Sequence, residues 1–176
     1  MKANKSITRR QVKNAVKWLE ALKGNSGFKK TVSQLGKLPN EDDDLYDNPD
    51  WNVKDIKKDM KYCCLGVACR VMKYKDVEFS NEVYEVLPDD IGLFDEYGTF
   101  KTVPEGVGDE VLEADETPIK YENFTVKGLT DLNDEVFLGD ENFKNVRNFI
   151  MKNLDYVFIP SVAKGLKEHR SEERRV

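Results

Sequence analysis

Tyr62-Cys63-Cys64-Leu65-Gly66-Val67-Ala68-Cys69-Arg70-Val71-Met72-Lys73 is the most apolar stretch of the chain, and its reading decides the fold. Leu65, Ala68, Cys69 and Met72 fall on one face at helical spacing, while Cys64, Val67 and Val71 fill the other. A helix that is apolar nearly all round belongs in the middle of a core rather than on its surface. Gly66 inside it costs about 1 kcal/mol against Ala, so its presence points to close packing there. The expectation is a central buried helix with the other elements arranged around it.

Working outward, Val12, Ala15, Val16, Leu19 and Leu22 recur at helical spacing, with Trp18 beside the stripe. Ser6 or Thr8 suits the start of this helix, and Gly24 the left-handed residue at its end. Toward the other end of the chain, Phe143, Val146, Phe149, Ile150 and Leu154 mark a helix for which Asp140 is the expected N-cap. Residues 155–160 read as a terminal strand, and 164–176 as a charged, frayed tail. Residues 24–61 are rich in Gly, Pro, Asn and Asp and read as irregular, including an acidic run at 41–44. Residues 76–103 read as short strands and turns, and 104–118 as an acidic surface loop. These readings combine into an α+β class: a helix-rich single domain over residues 1–163 with a small antiparallel sheet or hairpin, followed by a disordered tail over 164–176.

Composition narrows the setting. Apolar residues make up 39% of the chain and charged residues 35%, which describes a modest core under a charged surface. No stretch approaches the roughly 18 apolar residues that a membrane helix needs. The basic N-terminus lacks the apolar run of a signal peptide. Cys63, Cys64 and Cys69 form an odd, clustered set, a poor disulfide framework and one suited to a reducing cytoplasm. The net charge of −5 conceals an uneven distribution. Residues 1–37 carry ten Lys/Arg against one acid, whereas 76–117 carry fourteen acids against one base. Two faces of opposite sign, or two ordinary solvated surfaces, both accommodate this asymmetry.

Three motifs in order suggest a relationship. They are Cys63-Cys64-Leu65-Gly66-Val67-Ala68-Cys69, Leu87-Pro88 with Gly92-Leu93, and Leu129-Thr130-Asp131-Leu132-Asn133-Asp134 followed by a helix. Together with Trp18-Leu19-Glu20-Ala21-Leu22 near the start, the chain resembles a family of small, mostly uncharacterised bacteriophage proteins. That resemblance implies a viral accessory protein working in the host cytoplasm, and it brings no catalytic residue with it. The chain departs from the family pattern after Asn133, where residues 135–142 form a longer and bulkier linker.

The chemistry-bearing residues allow several readings. Cys63 or Cys64 at a helix start is placed like the nucleophile of a cysteine-dependent hydrolase, because helix-end N–H groups favour the thiolate. Such chemistry needs a proton acceptor, and the only histidine, His169, lies in the charged tail. Core packing explains the cysteines equally directly. A zinc site wants four ligands in paired spacings, which 63, 64 and 69 match loosely. Asp131, Asn133 and Asp134 offer oxygen ligands for magnesium, or else a local turn held by side-chain bonds to backbone N–H groups. Arg9, Arg10, Lys13 and Lys17 cluster on the polar side of the first helix, as phosphate neutralisation requires. Arg70 and Lys73, beside the cysteine helix, are candidate contacts for a small anion such as a nucleotide. No motif calls for a metal or cofactor. The functional expectation is binding to a host protein or nucleic acid, with a small anionic ligand or cysteine hydrolysis as alternatives and no membrane association.

Overall fold

A computed structural model describes residues 2–31, 36–37, 61–73, 88–101, 120–121 and 124–175. The acidic run 41–44, the acidic loop 104–118 and residues 76–87 of the stretch 76–103 read above as short strands and turns lie outside the described residues; within that stretch residues 88–91 are helical, and Leu93 and Thr99 form isolated bridges.

The cysteine helix forms where the apolar pattern places it. Helix α2 spans Cys64–Val71, and every residue from Cys64 to Cys69 is buried. Cys63 caps its start: its Sγ accepts from the Gly66 amide at 3.4 Å. Sulfur is a weak acceptor, so this cap leaves room for help from elsewhere. Helix α1 spans Lys2–Ala21 and begins ahead of Ser6 and Thr8. It buries Ala15, Trp18 and Leu19 against the core, joined by Leu22 just beyond its end. Trp18 Nε1 donates to the Cys64 carbonyl at 2.8 Å, and its ring meets Phe158 edge-on at 6.1 Å. The first turn of α2 is thereby fixed to α1. The left-handed glycine beyond α1 is Gly27 rather than Gly24.

The sheet differs from the expected antiparallel one. Strands β1 (Lys29–Lys30), β2 (Gly36–Lys37) and β3 (Lys61–Tyr62) form a mixed sheet in the order β1-β3-β2. Lys29 lies opposite Lys61 and Lys30 opposite Tyr62 in parallel, while β2 runs antiparallel to β3. The parallel pair follows from where β1 is anchored. The Lys30 side chain is held by carbonyls of a distant segment (below), and the Thr31 amide donates to the Tyr62 carbonyl at 2.9 Å. A separate two-residue pair, β4 (Lys120–Tyr121) with β5 (Phe124–Thr125), is antiparallel.

The second half is helical. One turn, α3 (Leu129–Asp131), runs directly into a π-helical segment over Leu132–Val136. Helix α4 (Lys144–Lys152) starts after Phe143, with the Lys144 amide donating to Asn142 Oδ1. Asp140 is not its cap and instead accepts from the Asn145 side chain. Residues 154–157 form the short helix α5 (Leu154–Val157) rather than a strand, and only Phe158 bridges to Leu93 in extended pairing. Helix α6 spans Pro160–Glu173, so most of the presumed frayed tail is helical. Val162, Ala163 and Leu166 are buried, and this packing outweighs the polar composition that suggested disorder. Proline at its first position suits a helix start, where no N–H is needed.

Two glycines set close approaches. Gly92 has φ +77°, and a side-chain carbon there would lie 2.5 Å from Val162. Gly165 lets α6 cross α1: a Cβ would lie 2.5 Å from Val12 Cγ2. Gly165→Ala gains about 1 kcal/mol of helix propensity but overpacks the crossing at about 1–3 kcal/mol. The expected net outcome is a destabilisation of about 1 kcal/mol, read from the urea midpoint at unchanged m-value.

Candidate functional site

Two places gather the residues singled out from sequence. One is a buried polar node beneath α2, and the other an open groove between α1 and α6.

The node centres on Asn133, which is fully buried. Its Oδ1 accepts from the Cys64 amide at 3.2 Å, one of the donors that a helix start leaves without an intrahelical partner. Its Nδ2 donates to the Thr31 carbonyl at 2.9 Å and to Asp134 Oδ1 at 2.6 Å. The π register matters here. The Phe137 amide reaches the Leu132 carbonyl at 3.1 Å, one residue further back than in an α-helix. That leaves the Asn133 carbonyl for Lys30, whose Nζ donates to it at 2.8 Å and to the Phe137 carbonyl at 2.6 Å. Burial pushes the Lys30 ammonium below its ordinary value, and Asp140 and Asp134 work in the opposite direction. The bonds of Asn133 to Thr31 and Cys64 therefore cross the fold; they are not the local turn closure expected from sequence. Among the described residues, no three His, Cys, Asp or Glu side chains gather as a metal set.

The thiols beside this node are closed off. Burial pushes Cys63 up to about 11 and Cys69 up to about 12, and it raises Cys64 as well. A nucleophilic cysteine needs the opposite shift. Cys64 Sγ donates to the Leu129 carbonyl at 3.7 Å, as a packed thiol does. His169 is on α6, within 3.7 Å of Glu173. The expected result of iodoacetamide treatment near neutral pH is no modification of the three thiols in the folded chain and complete modification in denaturant. Mass spectrometry of the two samples decides it, and rapid labelling of Cys63 or Cys64 in the native sample contradicts this assignment.

The groove is built from the polar side of α1. Lys5, Arg9, Lys13 and Lys17 follow at four-residue spacing along one row, and all four are exposed. Half-buried Val12 and Val16, with Ile159, form its floor, and Ile7 stands 48% exposed at one end. The α6 side contributes Lys164, His169, Glu168 and Glu172. The groove holds about 1220 Å³ and is open to solvent. Among the described residues, no carboxylate pairs with Lys5, Arg9, Lys13, Lys17 or Lys164.

No family model, curated protein or solved structure matches this chain. The site therefore rests on its own geometry.

That geometry divides the sequence-derived candidates. Arg9, Lys13 and Lys17 line one groove. Arg10 turns away from it and pairs with Asp90 at 3.4 Å, next to Gln11 and Asn14, which donate to the carbonyls of Asp89 and Asp90. Arg70 is exposed in the last turn of α2, where a cation suits the helix dipole. Lys73 ends that helix with φ +61°, a conformation glycine usually takes. Asn133 and Asp134 belong to the node. Sequence reading missed Lys5 and Lys30, and it missed Lys164 because residues beyond 163 were assigned to a tail. The four-residue recurrence from Lys5 to Lys17 was the available signal for the first.

Proposed function

We propose that this chain is a bacteriophage accessory protein that acts by binding a macromolecule of its host through the basic groove between α1 and α6. The observation that carries this reading is the exposed cationic row Lys5, Arg9, Lys13 and Lys17, which has no carboxylate partner among the described residues. Exposed cations left without carboxylate partners keep their full field for an incoming anion. The resemblance to small phage proteins and the basic stretch over residues 1–37 agree with it. The thiols, protonated and enclosed, lend nothing to cysteine hydrolysis. A small anionic ligand at Arg70 and Lys73 has less support, because neither residue lines the groove.

The test is capture from host lysate with immobilised wild-type protein and with an Arg9→Glu/Lys13→Glu/Lys17→Glu variant. Wild type retains a specific partner at moderate salt, and the variant loses it by about ten-fold or more. Raising salt to about 1 M, where the screening length falls to about 3 Å, releases the partner from wild type. Thermal unfolding of the variant stays close to wild type, since exposed substitutions cost little. Equal retention by both proteins rejects the groove as the binding surface.

A further inference from the structure

The groove combines features that distinguish one class of anionic partner from another. We infer that its occupant is an amphipathic helix of a partner protein, with carboxylates along one flank and at least one cation along the other. This rests on the binding role proposed above for the same groove.

Spacing is the first reason. Residues four apart on α1 are separated by about 6 Å along the axis, so Lys5 to Lys17 covers about 18 Å. A helix lying alongside presents Asp or Glu at the same interval when they recur every four residues. The floor is the second reason. Ile7 is 48% exposed, and Val12, Val16 and Ile159 are half-buried, so an apolar stripe gains by covering them. A phosphate backbone has nothing to place on that floor. The opposite rim is the third reason. Glu168 and Glu172 face the groove from α6, one turn apart and in the same row as Lys164. Those carboxylates repel a polyphosphate, whereas they match Lys or Arg on the far flank of a bound helix. Finally, among the described residues no Phe, Tyr or Trp lines the groove, so these residues offer no platform on which nucleic-acid bases stack.

Fluorescence anisotropy with the full chain at about 150 mM salt tests this, using labelled probes. The first is a peptide of about 18 residues with Leu at helical spacing, Glu on one flank and Lys on the other. The second is a scramble of the same composition, and the third pair is an oligothymidine and a mixed-sequence duplex. The amphipathic peptide is expected to bind at least about ten-fold tighter than its scramble and than either nucleic acid. Ile7→Asp and Lys13→Glu are each expected to weaken it by about ten-fold, with unfolding temperatures close to wild type because both positions are exposed. Glu172→Lys is expected to weaken the peptide and to strengthen nucleic-acid binding. Equal affinity for peptide and scramble overturns the inference, since charge alone would then account for binding. Tighter binding of nucleic acid with the same Lys13→Glu sensitivity overturns it too, yet leaves the broader binding role standing. Failure of every probe also overturns it, and the lysate capture then decides the broader role separately.

Discussion

Asn133→Ala is expected to lower the unfolding free energy by about 3–5 kcal/mol. The substitution removes three hydrogen bonds at a fully buried position. The more serious consequence is what stays behind. The Cys64 amide at the start of α2 loses its partner inside the fold, and the half-buried Thr31 carbonyl beside β1 loses one as well. A buried polar group left unsatisfied costs about 1–3 kcal/mol, and the bond lost by the half-buried carbonyl together with the space the side chain vacates brings the total into the stated range. Whole domains are stable by only about 5–15 kcal/mol, so the variant sits near its unfolding threshold. Asn133→Asp is expected to be at least as harmful at neutral pH, because it replaces a donor with a buried charge next to Asp134. Urea denaturation of both variants measures the effect. A loss below about 1 kcal/mol for Asn133→Ala would show that water restores the bonds and that the node does not organise α2.

The second large effect is alkaline loss of stability. The folded chain holds its thiol protons past the ordinary value of 9.0, with Cys63 raised to about 11 and Cys69 to about 12. Cys64 moves the same way. Above pH 9 the folded state therefore binds more protons than the unfolded state, and stability falls as pH rises. Each thiol contributes about 1 kcal/mol of loss between pH 8 and 10. Lys30 acts with the opposite sign. Its folded value is lowered from 10.5, so between that lowered value and 10.5 the unfolded chain holds the extra proton and stability rises with pH. One lysine offsets at most about one thiol, which leaves a net loss of about 2–3 kcal/mol by pH 10. Urea midpoints at pH 8, 9 and 10 check the sign. Cys69→Ala lowers stability by creating a cavity, but it flattens the pH dependence by about one thiol's share. A flat profile in the wild-type chain would mean that the thiols are open to solvent, which reopens the question of their reactivity.

The chain's local pattern was enough to place α1, α2 and α4. Each carries apolar residues at helical intervals, and nearest-neighbour spacing along a helix is a property of sequence alone. The all-round apolar character of residues 64–71 likewise marked the helix that is most enclosed. The row from Arg9 through Lys13 to Lys17 was legible for the same reason, since residues four apart share a face. Everything that depends on distant partners was decided by the tertiary structure. Residues 164–173 look like a solvated tail until Gly165 meets Val12 of α1 and Leu166 is buried, and only that packing completes the groove. Lys30 looks like an ordinary surface lysine in a turn-rich segment. Its burial follows from the π register at Leu132–Val136, which leaves a carbonyl free 103 positions away in the chain. Asn133 looks like a turn residue, yet it serves the first amide of α2, 69 positions away. Hydrogen bonds of this kind depend on how separate elements come to lie together, and no local spacing encodes that.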